Sequence, residues 1–300
     1  MPLTHLLLAL AVVAVWGTNF VVIKWGLAEL PPLLFTTLRF AFAAFPFLLF
    51  VKRPAVAWQT LAAFGALHGV GLFGLMVVAL RADISAGLAS LVIQTQVFFT
   101  IGLAMALVGE RPRLLQGAAL ALAAAGMALI AGHIDQDSVT VLGLALVLGA
   151  AACWAGANMV AKSAGRVDMF GFMVWSSVFA APVLAFLSLL IEGPALIVVS
   201  LTQASGAAWA AVAWQSLGNT LFGYGVWNWL LSRHPAATVT PAALMVPVFG
   251  MAASAALLGE AMPPWKLGAT ALVLTGLALN TLASRNSLRG PSTPANGVVR

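Results

Sequence analysis

Residues 14–24 read AVWGTNFVVIK and residues 152–162 read ACWAGANMVAK. Each is an apolar run with a tryptophan, an asparagine three or four residues later, and a lysine eight residues after the tryptophan. Unpaired charge is costly in hydrocarbon, so a lysine held at the end of an apolar helix marks the edge of a membrane span. The same edge written twice predicts a membrane unit that occurs twice.

The rest of the chain agrees. Only 22 of its 300 residues are Lys, Arg, Asp or Glu, 62% are hydrophobic, and the charges gather in short gaps between long apolar runs. A span needs about 20 apolar residues. Ten such stretches fit: 4–24, 32–51, 58–80, 84–108, 113–132, 140–162, 168–191, 206–231, 235–258 and 264–283. Transmembrane strands would alternate apolar and polar residues; Leu6–Trp16 and Leu114–Ala131 do not alternate, so helices are expected. Gly193–Ser205 is the longest linker and is itself largely apolar, and 285–300 is a basic, Pro/Gly/Ser-rich tail that reads as disordered. No basic residue precedes the first stretch, so it reads as a retained helix rather than a cleaved signal.

With the N-terminus on side one, ten spans place Lys52, Arg53, Arg111, Arg113, Lys162, Arg166, Arg233, Arg285, Arg289 and Arg300 on that side. Side two receives only Lys24, Arg81 and Lys266. The bias predicts both termini in the cytoplasm of a bacterial inner membrane. It also explains the net charge of +6 without nucleic acid as a partner.

The duplication extends beyond the opening motif. Gly109-Glu110 ends span four and Gly259-Glu260 ends span nine, 150 residues apart; Leu72-Phe73-Gly74 and Leu221-Phe222-Gly223 match in spans three and eight; Gly117-Ala118 and Gly268-Ala269 open spans five and ten. Five spans per half is an odd number, so the second half enters from the opposite face. The expected fold is all-α: ten transmembrane helices in two inverted five-helix repeats, 1–135 and 136–284, around a central cavity. Inverted repeats suit alternating access, because exchanging the roles of the halves gives inward- and outward-open forms.

These motifs, with Leu38-Arg39-Phe40 in span two, resemble the drug/metabolite transporter superfamily over residues 4–283. The chain looks like its EamA-type ten-helix exporters, and among them most like the YddG-type amino acid exporters. The resemblance implies a helix basket around a cavity and efflux of amino acids or related metabolites.

Polar residues inside spans face the bundle interior or a wet cavity. Trp16 with Asn19, and Trp154 with Asn158, each share one helix face and suit a zwitterion with an apolar side chain. Asn219 and Trp227 share a face of span eight, His68 titrates near neutral pH, and Gln94 forms a stripe with Ser90 and Phe98. These eight, Trp16, Asn19, His68, Gln94, Trp154, Asn158, Asn219 and Trp227, are the candidate substrate residues; each could instead simply pack helices together. Gln96 is expected to point elsewhere. Trp175 and Trp227 read as deep, and Trp25, Trp58, Trp209 and Trp265 as interface anchors. Arg39 is a candidate partner for a substrate carboxylate, or an anchor reaching headgroups, Asp83 or Glu29. Glu110 and Glu260 are candidate gate residues. Pro241 and Pro247 are candidate hinges in span nine, and span four has no proline, so unequal bending is expected.

Enzyme chemistry has little to stand on. The chain holds no Gly-Lys pair for a phosphate loop and no Gly-x-Ser-x-Gly elbow; its histidines, His5, His68, His133 and His234, fall in separate regions; and Cys153 is alone. No cofactor or metal is expected. No carboxylate lies mid-span, which favours facilitated diffusion of neutral, aromatic or apolar amino acids. The alternatives are a proton-coupled multidrug or metabolite antiporter and, further off, an intramembrane lipid-group transferase. Oligomeric state is silent in the sequence.

Overall fold

The fold is given by a computed structural model that describes residues 2–82, 84–108, 114–133, 139–165, 167–234 and 239–288. Among these residues the regular structure is helical, with one isolated bridge between Ile84 and Val139. Asp83, Glu110, Arg111, Arg113, Arg166 and the tail from 289 lie outside the described residues.

Among the described residues eight helices are long and apolar enough to cross a bilayer: Leu3–Leu27, Pro32–Leu49, Trp58–Arg81, Ala86–Leu103, Leu114–Ala131, Val141–Ser163, Met169–Ile191 and Pro264–Ala283. They match spans one to seven and ten. Span eight is the second arm of a bent pair, Pro194–Gln203 and Gly206–Trp227, which meet at 103°. The expected linker 193–205 is therefore mostly a helix. Gly193, at φ 80°, starts it, and its Ile197 and Leu201 pack on the core while Leu196, Val198 and Val199 stay outward.

Span nine is a shorter apolar helix, Ala242–Leu258. Its first turns are a 3-10 segment, Thr240–Leu244, headed by Pro241, and Pro247 sits in the first turn of the α-helix that continues it. Proline has no N–H to give an α-helix. Span four breaks at the matching level, in a 3-10 turn over Ile93–Thr95, although it has no proline. Both spans are thus interrupted, span four over three residues and span nine over five.

Spans three and eight share a rarer device. Gly65–Gly74 and Trp214–Gly223 are both ten-residue π-helical stretches. In span eight the Thr220 hydroxyl donates back to the Gln215 carbonyl, five residues earlier (2.8 Å). The glycine-rich runs permit close approach: a Cβ on Gly69 would lie 2.3 Å from that of Ala180, and one on Gly65 would lie 2.5 Å from the Ser176 carbonyl oxygen.

The helices are joined across side two by carboxylates that accept from helix N-termini. Glu192 accepts from the Leu33 and Leu34 N–H groups that open span two (2.6 and 2.9 Å). Glu260 accepts from Ala86 and Gly87 at the start of span four (2.7 and 3.1 Å). Glu29 accepts from the backbone and hydroxyl of Ser205, the N-cap of span eight (2.7 Å each). A carboxylate at the positive end of a helix satisfies orphan N–H groups and the helix dipole together. The Ser205 bonds hold the Glu29 carboxyl below the usual carboxylate range. Gly259, left-handed at φ 67°, ends span nine and turns Glu260 back toward its partners, which gives the Gly-Glu motif a physical reason.

On side one, Trp175 donates to the Val51 carbonyl (3.0 Å) and packs edge-on to Trp58, so it is not deep in the bundle. His5 and His234, 229 positions apart, meet at 2.6 Å, which overturns the expectation that the histidines lie in separate regions. Loss of water and the nearby His5 both lower the pKa of His234. No group of three metal-ligating side chains occurs among the described residues.

Candidate substrate cavity

Between the halves lies a cavity of about 600 Å³, well within the size of small-molecule sites. All eight candidate substrate residues line it: Trp16, Asn19, His68, Gln94, Trp154, Asn158, Asn219 and Trp227. The lining runs from Ile23 and Met76 toward side two down to Ala161, Met169 and Thr281 toward side one.

The aromatic wall is built by spans one and eight. Trp16 sits 5.2 Å from both Tyr224 and Trp227, ring to ring, and its indole N–H donates to the Asn219 carbonyl (3.3 Å). Gly223 makes room for that indole, since a Cβ there would stand 2.3 Å from Trp16 Nε1. His68 is 2% exposed, stacks on Phe64 at 4.9 Å and shares a hydrogen bond with the Tyr224 hydroxyl (2.9 Å).

The broken spans meet here as well. Gln94 donates from its 3-10 turn to the Ala243 carbonyl in the 3-10 segment of span nine (3.2 Å). Gln96 does not point elsewhere: it lines the cavity and accepts from Asn158 (2.9 Å). A regular α-helix would aim it away from the cavity, and the tightened turn swings it round. For the same reason Ser90 leaves the expected stripe; it is fully buried against Gly250 and bonds to the Gly87 carbonyl.

Arg39 does not line the cavity. It is 2% exposed, its guanidinium turned into the bundle onto span eight. It donates to Gln215 Oε1 (2.6 Å), Asn219 Oδ1 (2.8 Å) and Thr220 Oγ1 (3.1 Å), and lies 3.5 Å over the Phe73 ring. Glu29 instead binds Ser205, and Asp83 lies outside the described residues. Of the candidate gate and hinge residues, Glu260 and Pro247 lie away from the cavity lining, Pro241 heads the 3-10 segment, and Glu110 lies outside the described residues. Tyr224, the only tyrosine in the chain and legible in the sequence as a polar side chain at membrane depth, lines the cavity too. Phe73, Asn280 and Thr281 also line it, and the sequence did not mark them as cavity residues.

A sequence profile described as "EamA-like transporter family" matches residues 3–132 and again 141–282. The chain belongs to the EamA-like transporter family. It is 39% identical over 285 residues to a protein of Salmonella typhimurium named "Probable amino-acid metabolite efflux pump", covering 93% of this chain and 95% of that one. The protein of the same name in Escherichia coli K12 is 38% identical with the same coverage. A "Probable terminal-alkyne amino-acid exporter" of Streptantibioticus cattleyicolor is 28% identical over 94% of this chain and 95% of that one. A crystal structure superposes with a TM-score of 0.63 at 19% identity, covering 96% of this chain and 99% of the other, a likeness of fold.

Proposed function

We propose that this EamA-family transporter exports amino acids or related metabolites from the cytoplasm by alternating access. The observation that carries the reading is the cavity walled by Trp16, Tyr224 and Trp227 beside the amides of Asn19 and Asn219. Indole and phenol faces suit an apolar or aromatic side chain, and amides suit a zwitterion's polar end. The names of the Salmonella and Escherichia relatives agree with this class of cargo.

The halves 1–135 and 136–284 act as the two inverted units. Side one is the cytoplasm, by the excess of Lys and Arg on that side. The carboxylate clasps on side two, and a lining that reaches Ala161, Met169 and Thr281, support reading this form as the one that loads from the cytoplasm. Among the described residues no Asp or Glu lines the cavity, so transport follows the substrate gradient rather than a proton bound on a carboxylate.

The test is flux into proteoliposomes with a competition screen across amino acids, sugars and lipophilic drugs, using wild type, Trp16→Ala and Trp154→Ala. Saturable uptake competed best by aromatic and branched neutral amino acids, unchanged by an imposed pH gradient and weakened in both variants, is the expected result. Competition by drugs alone overturns the cargo, and strong stimulation by a proton gradient overturns the driving force and turns attention to His68. A reporter fused at either terminus locates side one.

A further inference from the structure

Arg39 is a cation deep in the bundle whose partners are all neutral. Three of its hydrogen bonds end on amide or hydroxyl oxygens of span eight, and its flat face covers Phe73. A buried charge with no counter-ion is costly, and such groups are normally paired. What the arginine does to its neighbours indicates where the counter-charge belongs.

A guanidinium can only donate. The Gln215 atom it meets at 2.6 Å must therefore be oxygen, which turns the Gln215 N–H₂ toward Asn19. Asn19 accepts that bond through Oδ1 at 2.6 Å, so its own N–H₂ is left over. Asn219 likewise spends Oδ1 on Arg39 at 2.8 Å and keeps its N–H₂. Both asparagines line the cavity, at 3% and 4% exposure, and among the described residues neither amide nitrogen has a partner or is sealed off. The Trp16 N–H, the other strong donor in this corner, is already used on the Asn219 carbonyl. One arginine thus sets two amides, one directly and one through Gln215, so that each shows the cavity a donor and hides its acceptor.

We propose that Asn19 and Asn219 form a carboxylate-binding subsite in the cavity wall, with Arg39 and Gln215 as the positioning residues that keep both amide N–H₂ groups turned toward the ligand. The proposal rests on the cavity being the substrate site. Two N–H donors in front of a buried positive charge match the two oxygens of a carboxylate. The site places that group beside span eight near Gln215 and Asn219. The ligand's apolar body then lies on Trp16, Tyr224 and Trp227. A cationic ligand without a carboxylate meets donors and a positive field, and is rejected.

Four probes of one shape separate the chemistry: L-phenylalanine, 3-phenylpropionate, L-phenylalaninamide and phenethylamine. Their binding to the purified full chain in nanodiscs is read from tryptophan fluorescence. The two carboxylates are expected to bind about tenfold or more tightly than the amide and the amine, as hydrogen bonds to a charged group allow. Asn219→Asp keeps the oxygen that Arg39 binds and replaces the donor with a second oxygen; it should weaken both carboxylates about tenfold or more and leave phenethylamine unchanged or tighter. Asn19→Asp keeps the bond from Gln215 and should act in the same direction, which secures the test should one variant fold poorly. Equal binding of all four probes, equal weakening of all four in the variants, or binding of none overturns the subsite. Phenylalanine flux without carboxylate preference sinks the subsite and leaves the exporter; carboxylate binding without amino acid flux sinks the exporter and leaves the subsite.

Discussion

Gly17→Ala probes a tight crossing of two spans. A Cβ on Gly17 would stand 2.5 Å from the Phe249 Cβ, 2.6 Å from the Val246 carbonyl oxygen and 2.9 Å from the Gly250 nitrogen. Two of these neighbours are backbone, so no side chain can swing aside. Gly250 cannot yield either, because it presses against Ser90, whose Oγ would lie 2.4 Å from a Cβ there. Spans one, four and nine therefore touch at one point. Restoring an ordinary 3.4 Å contact means parting spans one and nine by about 0.9 Å, the difference between 3.4 and 2.5 Å. Overpacking of this kind costs about 1–3 kcal/mol. If the other transport state separates these helices, the same energy shifts the two-state balance about 5–150-fold away from the form described above. The assay pairs thermal melting with labelling of Ile23→Cys, a cavity-lining position toward side two, by an impermeant thiol reagent in a Cys153→Ala background. Gly17→Ala should lower the melting temperature, raise labelling from side two, or both. Gly102→Ala is the control, since nothing lies within 4 Å of a Cβ there. It should be neutral or slightly stabilising, because alanine favours helix over glycine. Unchanged melting and labelling in Gly17→Ala would refute the reasoning.

Three other outcomes are expected. Glu260→Gln keeps an acceptor for Ala86 or Gly87 but loses the charge at the start of span four; it should destabilise by about 1 kcal/mol and increase side-two labelling, read in the same assays. The Glu29 carboxyl titrates below its usual value in the folded chain, so its clasp on Ser205 contributes fully above about pH 4.5 and fades as pH falls through the lowered value. The melting difference between wild type and Glu29→Gln should close in acid and stay constant above pH 5. His234 titrates below the ordinary histidine value of 6.5, so its neutral bond with His5 contributes above that pH and is lost as pH falls toward the lowered value. The advantage of wild type over His234→Leu should shrink through that window, and a pH-independent difference would contradict it.

The sequence carried the helices well, because hydrocarbon forbids the alternatives and charge marks the edges. Trp16 with Asn19 and Trp154 with Asn158 were legible as cavity-facing pairs through their spacing, and the structure places all four on one cavity. What escaped was whatever depends on which helix meets which. Arg39 finds Gln215 across 176 positions and His5 finds His234 across 229, and no local pattern announces either meeting. Gln96 escaped for a different reason: its direction is set by a 3-10 turn with no proline to signal it. The helix Pro194–Gln203 was hidden in a linker whose apolar character was visible but whose shape was not.

The wide turns of spans three and eight make the protein sensitive to phase. In span eight the π stretch ends at Gly223, with Gln215 and Asn219 within it and Tyr224 and Trp227 beyond. Each residue of an α-helix advances the face by about 100°. Inserting one alanine between Gly223 and Tyr224 would swing Tyr224 and Trp227 by about 100° off the wall that Asn219 still occupies. A change that leaves every side chain of the cavity intact would take the binding surface apart, so in this chain the count of residues between two side chains carries as much information as their identity.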